Sequence, residues 1–301
     1  DRQLLTAQEL LEQLVVRLGD GLEQLQVRRL GFVPPGEEAV DEPDADVLEK
    51  ARFQPEFRDD VWDYLDNRVN DESVAEGRRM LVQYKPWLDR IEQRFGVDRH
   101  ILLAIWSMES NYGRILERQD VMKNVPQALA TLAYKDPRRA KFARSQLLAA
   151  LKIVEDGHVT PAGLTGSWAG AMGHTQFIPT SYQLYAVDMD GDRHPNIWTS
   201  VPDALATAAN LLKKNGWQSG KTWGYEVAIP RGLAGQKGAR KTLGQWANGG
   251  VERVSGRAFP NAGDNANLLL PAGASGPAFL MTKNFYVIKR YNNADKYALA
   301  V

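Results

Sequence analysis

The chain has 301 residues, 44% hydrophobic content, 37 basic against 37 acidic side chains and no cysteine. This is enough apolar material for a sizeable core in one large domain or two to three lobes. The balanced charge removes any global attraction to nucleic acid, and the missing cysteines exclude disulfides, thiol nucleophiles and thiolate metal sites.

His100, His158, His174 and His194 form no pair at zinc-ligand spacing, and no Walker loop or dinucleotide glycine motif is present. No run reaches the roughly 20 apolar residues of a membrane span, and the chain opens on Asp-Arg-Gln-Leu-Leu and not on a signal segment. The chain as given is expected to be soluble, with any export signal or lipid anchor absent from it.

In chain order, residues 6–29 read as a helix capped by Thr6, with Leu10, Leu11, Leu14, Val15, Leu18, Leu22 and Leu25 on one stripe. The acidic, proline-bearing stretch 34–43 has no periodicity and reads as a linker. From about 44 to 215 the pattern is almost wholly helical, with helices expected over 55–67, 71–95, 98–112, 125–134, 137–156 and 202–215. Asp136 and Ser200 precede prolines as natural helix starts. After Gly216 the texture becomes glycine-rich, and short strands are expected over 223–229, 267–271 and 278–281. Helix-like spacing returns over 284–292.

Chemistry enters at Ala104–Gly113. Asp98 is a plausible N-cap, and Ile101, Ile105, Met108, Glu109 and Tyr112 follow the three-and-four spacing of one helix face, with Gly113 as a stop. A carboxyl among Ile, Met and Trp neighbours loses hydration, which raises its pKa and suits it to protonate a leaving group. Spacing leaves open the alternative that Glu109 turns outward at a helix end. The segment 166–180 is rich in glycine and alanine and carries Ser167, His174, Thr175 and Gln176, so backbone can approach a ligand there; by itself it is equally a tight turn between helices. Phe285-Tyr286 and Arg290-Tyr291-Asn292 combine aromatic faces with polar groups, as sugar binding requires, or pack an amphipathic helix. Asp188-Met-Asp-Gly-Asp192 resembles the start of an EF-hand loop, although glycine falls at the fourth position and Thr199 at the twelfth. A plain acidic turn is the alternative.

Taken together, Ile105–Arg114, then 166–182, then Tyr291-Asn292, with the aspartate-rich loop in between, resemble the lytic murein transglycosylase B family over about residues 50–301. The resemblance implies a mainly α (α+β) fold, with a lysozyme-like helical core, an added helical lobe and a small antiparallel β lobe. In this chain that means a peripheral helical segment and linker over 1–38, a helical lobe over 39–85, the catalytic core over 86–222, the β-rich lobe over 223–283 and a return to the core over 284–301. It places the catalytic acid at Glu109 and substrate contacts at Ser167, Met172, Gln176, Arg138, Arg139, Tyr291, Asn292 and Tyr297. A structural calcium site would draw on Asp188, Asp190, Asp192, the His194 backbone and Asp203, with no cofactor for catalysis. Phe142 and His174-Thr175 depart from the family pattern, which often has tyrosine and Tyr-Gly at these places.

The implied activity is cleavage of the β-1,4 bond between N-acetylmuramic acid and N-acetylglucosamine in peptidoglycan without water, leaving 1,6-anhydromuramic ends. A single candidate carboxylate favours this chemistry over two-carboxylate hydrolysis, since the next acid, Glu117, reads as solvated surface. A hydrolytic muramidase and a non-catalytic glycan-binding protein are the rival expectations. The implied setting is the periplasm of a Gram-negative bacterium, with glycan strands and other cell-wall enzymes as partners and membrane attachment only through a lipid anchor. Residues 25–32 faintly resemble peptidoglycan-binding repeats, and a peripheral hairpin is the plainer expectation.

Overall fold

The computed structural model describes residues 43–52 and 60–301. The helix expected over 6–29, nearly all of the linker, the 25–32 segment and the start of the 55–67 helix lie outside the described residues. These residues contain twelve α-helices and a small antiparallel sheet, a mainly helical α+β fold. They fall into two compact units, one comprising 43–52 with 109–208 and the other 60–108 with 209–301.

The first unit is helical. Helix α1 (Ala45–Arg52) packs on α6 (Val125–Lys135), and α6 on α7 (Ala140–Glu155). Val125, Leu129 and Leu132 of α6 and Ala143, Leu147, Ala150 and Leu151 of α7 are buried at three-and-four spacing, so each helix presents one apolar face. Asn124 starts α6 by accepting from the Gln127 N–H at 3.1 Å, and Pro126 follows inside the first turn, where its missing N–H costs nothing. Immediately before the helix, β1 (Lys123–Asn124) pairs antiparallel with β2 (Thr165–Gly166). That pairing fixes the entrance to the glycine-rich segment beside α6. Helix α8 (Pro179–Tyr185) and the N-terminal part of α9 (Val201–Lys214) complete the unit.

In the second unit the helix expected over 71–95 is two helices, α3 (Asp71–Gln83) and α4 (Lys85–Phe95), after the short α2 (Val61–Arg68). The break falls at Tyr84 because Pro86 has no N–H to donate and its ring clashes with the preceding turn. Gly96 then closes α4 with φ 68, and Asp98 starts α5 (Arg99–Ser110) by accepting from the His100 N–H at 2.7 Å, as expected. Arg99 reaches back to Asp89 and Glu92 of α4, fixing the corner between the two helices.

The five-stranded sheet runs in the order β4-β6-β7-β3-β5 and is antiparallel throughout. Its strands are β3 (Gly224–Ala228), β4 (Arg240–Thr242), β5 (Glu252–Arg253), β6 (Asn265–Leu269) and β7 (Ala278–Met281). Val227, Leu268 and Leu280 face a core shared with Leu243 and Trp246 of α10 (Leu243–Asn248). The shortness of α10 and its glycine-rich surroundings hid it from the sequence reading, yet Thr242 and Gln245 form a reciprocal capping box at its start. The buried Trp246 indole donates to the Ala266 carbonyl at 3.1 Å. Helices α11 (Lys283–Ile288) and α12 (Asp295–Ala300) follow, joined by Lys289–Asp295 at 2.7 Å. The Lys296 ammonium lies 4.8 Å over the Tyr64 ring of α2.

Candidate active site

Glu109 is the penultimate residue of α5 and is partly buried. The helix ends one residue later, not at Tyr112, because Asn111, Tyr112 and Gly113 all adopt left-handed backbone conformations, with φ 49, 56 and 88. Such conformations cost side-chain-bearing residues on the order of 1 kcal/mol each and persist only where surroundings enforce them. The enforcement is visible at Ser110. Its buried hydroxyl donates to the His174 carbonyl at 2.6 Å and accepts the Gly113 N–H at 2.9 Å. Gly113 also makes room for its neighbour, since a Cβ there would lie 2.5 Å from the His174 imidazole. Burial pulls the His174 pKa down from 6.5 to about 4, so a neutral ring packs under the turn that follows Glu109.

The opposing segment is a compact loop. Met172 exchanges backbone bonds with Phe177 in both directions, at 2.9 and 3.0 Å, and bridges to Gly166 as well. The His174 N–H donates to the Ile197 carbonyl at 2.9 Å, and Gly173 comes so near Ile197 that a Cβ would sit 2.4 Å from that carbonyl oxygen. Ser167 turns its Oγ toward the Ala169 and Ala171 N–H groups, which leaves its own proton as the available donor. Gln176 has φ 49 and donates from Nε2 to the Gly173 carbonyl at 2.8 Å.

The Asp136–Arg139 corner belongs to the same unit. Asp136 accepts from Arg139 at 2.7 Å, and this guanidinium holds its carboxyl below the usual range. The Arg139 guanidinium lies 5.7 Å from the Trp168 ring centre, within cation–π range, which brings the corner to the loop, while Arg138 is exposed.

Six of the nine residues expected at a glycan site thus share one unit: Glu109, Arg138, Arg139, Ser167, Met172 and Gln176. Met172 is fully buried, so what it gives the loop is packing. Tyr291, Asn292 and Tyr297 belong to the other unit, where Asn292 is exposed, Tyr291 partly buried and Tyr297 buried in α12. Sequence reasoning missed Ser110 as the tie between helix end and loop. Its signal was a small hydroxyl directly after the acid on the buried side of the helix.

The aspartate loop forms a second site. Carboxylate oxygens of Asp188, Asp190, Asp192 and Asp203 lie within 4.8 Å of one another. Backbone N–H groups aim them: Gly191 and Arg193 donate to Asp188, His194 to Asp192, and Met189, Asp190 and Asn196 to the fully buried Asp203. Burial raises the Asp203 pKa, with the Asp190 charge adding to it, and none of the four carries an ion pair among the described residues. Four clustered hard oxygen donors without a cation partner suit a divalent ion such as calcium. His194 adds no side-chain ligand to the cluster.

The family model described as the transglycosylase SLT domain matches residues 37–301. The membrane-bound lytic murein transglycosylase B of Escherichia coli (strain K12) is 33% identical over 243 residues, which are 79% of this chain and 64% of that protein. The chain thus spans somewhat less than two thirds of the length of that relative. Among solved structures, SltB3 from Pseudomonas aeruginosa, in complexes with NAG-anhNAM-pentapeptide and with NAG-NAM-pentapeptide, matches with a TM-score of 0.85 at 44% identity, over 98% of this chain and 77% of that one. The Escherichia coli lytic transglycosylase Slt35 in complex with calcium matches with a TM-score of 0.75 at 29% identity, over 98% of this chain and 89% of that one.

Two outcomes test the helix end. Gly113→Ala is expected to lower stability by roughly 1–3 kcal/mol through its left-handed backbone alone, and more where the imidazole cannot yield, read from denaturant unfolding. For His174 the folded pKa of about 4 lies below the unfolded 6.5, so the unfolded chain takes up a proton first as pH falls. Its contribution is complete above pH 6.5 and is lost progressively toward pH 4. The difference in unfolding free energy between wild type and His174→Phe should therefore shrink across that window, and a pH-independent difference would refute the assignment.

Proposed function

The chain belongs to the lytic murein transglycosylase B family, and from that membership we propose that it cleaves the β-1,4 bond between N-acetylmuramic acid and N-acetylglucosamine in peptidoglycan, with Glu109 as acid and then base. The carrying observation is a partly buried carboxyl at the end of α5, held by the Ser110–His174 tie beside a loop of close-approaching backbone.

In the proposed reaction, protonated Glu109 gives its proton to the glycosidic oxygen as the bond to C1 breaks. The resulting carboxylate takes the proton of the C6 hydroxyl of the same muramic residue, and that oxygen bonds to C1. The proton count balances, Glu109 ends carrying a proton again, and the product is a 1,6-anhydro sugar with no water consumed. Attack from within one residue gains from proximity, which lessens the need for a second carboxylate. Several other acids of the unit are engaged elsewhere: Asp136 is tied to Arg139, Asp120 to Arg118, and Asp188, Asp192 and Asp203 accept backbone N–H groups of their own loop. In this reading Ser167 and Gln176 donate to sugar oxygens, which the uncommitted Ser167 proton supports, and the exposed Arg138 suits a carboxylate of the muramyl peptide. Tyr291, Asn292 and Tyr297 are assigned to the same glycan by resemblance.

The organisation we propose keeps the lysozyme-like core at 86–222 and the β lobe at 223–283, which agrees with strands β3 to β7 all falling in the latter range. The setting is the periplasm. No helix among the described residues is long and apolar enough to cross a membrane. Calcium, when bound by Asp188, Asp190, Asp192 and Asp203, would neutralise their charge and brace the start of α9, with no part in bond cleavage.

Glu109→Gln is expected to lower lysis of purified sacculi by at least about 10²-fold with an unchanged melting transition. Mass analysis of the wild-type products should give anhydro ends; reducing ends heavier by one water would make the chain a hydrolase. Calcium at about 100 times its dissociation constant should add roughly 2.7 kcal/mol of stability. Asp190→Asn should abolish that gain, and an absent response in the wild type would remove the calcium assignment.

A further inference from the structure

The second unit holds a cavity of about 910 Å³ that contains none of the residues assigned to glycan cleavage. Residues of all five strands of the sheet line it, and the lining is strongly unbalanced in charge. Lys221, Arg240, Arg253 and Lys283 line it against one acid, Asp264. Lys221 is spoken for, since it pairs with Asp264 at 2.7 Å. Three cations remain.

Two of these, Arg240 and Lys283, carry no ion pair among the described residues. Arg240 sits in β4 opposite Asn267 of β6, so a rigid ladder carries both. Arg253 is held in place, stacked 4.7 Å over the Tyr225 ring and donating to the Ala258 carbonyl at 3.0 Å. Tyr286 adds a partly exposed aromatic face beside Arg240, and burial raises its hydroxyl pKa, so it stays a neutral donor. Cations carried on two strands and a helix start around a concavity share one anion-attracting field, and partial enclosure strengthens the attraction.

We propose that this cavity binds the carboxylate-bearing peptide stem of a peptidoglycan strand. The inference rests on the reading of the chain as a peptidoglycan-cleaving enzyme, because that substrate brings peptide carboxylates with it. A neutral glycan gains nothing from three uncompensated cations, whereas a short peptide with two free carboxylates can pair with two of them and offer amides to Asn267 and its neighbours. The volume also exceeds what one small anion would fill and lies in the range of ligand pockets.

The full chain is titrated with three probes: the N-acetylated, sugar-free pentapeptide L-Ala-γ-D-Glu-L-Lys-D-Ala-D-Ala, the same peptide with both carboxylates amidated, and chitotetraose. Binding of the free-acid peptide is expected to weaken about tenfold on amidation and about tenfold in the Arg240→Gln/Lys283→Gln double variant. Glu109→Gln should bind this peptide as the wild type does, and chitotetraose should bind the wild type and the double variant equally. Both substituted positions are exposed, and an unchanged melting transition verifies folding. Peptide binding that ignores amidation or the double substitution overturns the proposal, as does an equal loss of chitotetraose binding. The two readings fail separately: a chain that releases anhydro ends but shows no carboxylate-dependent peptide binding loses only the cavity assignment, and one that binds the peptide through Arg240 and Lys283 yet cuts no glycan loses only the enzyme reading.

Discussion

The buried hydroxyl of Ser110, bonded at once to the Gly113 N–H and the His174 carbonyl, is the constraint around which the candidate site is arranged. Left unpaired in the interior, that hydroxyl would cost on the order of 1–3 kcal/mol. Pairing it requires the chain after Glu109 to turn through three left-handed residues, and requires His174 to bring its carbonyl within reach. Helix end and loop therefore define each other. A side chain at position 113 would displace the imidazole on which the turn rests.

The loop is fastened in turn at several points. Pairing of β1 with β2 fixes its entrance, the Ile197 carbonyl receives the His174 N–H, and the buried Thr175 hydroxyl donates to the Ala204 carbonyl of α9 at 3.3 Å. One residue earlier in α9, Asp203 collects three backbone N–H groups of the aspartate loop. The acidic cluster and the loop beside Glu109 are thus anchored on the same turn of one helix. A cation at the cluster would steady that turn by relieving the repulsion among its carboxylates, a structural contribution made away from the reacting bond.

Much of this was legible in order along the chain. Asp98 as the start of α5, the helices near 125–135 and 201–214, and the strand at 278–281 followed from period, cap and turn residues, because those signals are local. The long helix expected over 71–95 missed its break because apolar period runs on across Tyr84 while Pro86 interrupts only the backbone. Helix α10 was missed for the opposite reason. Its six residues are too few to show a period, and its capping box lies among glycines that read as turns.

The candidate acid itself was visible as a carboxyl on the apolar side of a helix near its end, and the order of the motifs identified its family. Sequence determined which residues could do chemistry, since residue type and short spacing are written directly in the chain. Spacing alone left open whether Glu109 turns inward or out, and the resemblance assigned it as the acid; what packs against the turn after it is a tertiary matter. What does pack there is fixed by a hydrogen bond between residues 64 positions apart, a lowered histidine pKa and a glycine whose missing Cβ admits an imidazole. The cationic cavity likewise emerged only when two strands and the start of α11, distant in sequence, set Arg240, Arg253 and Lys283 around one concavity, as charges scattered through a neutral sequence acquire a field only once folding brings them together.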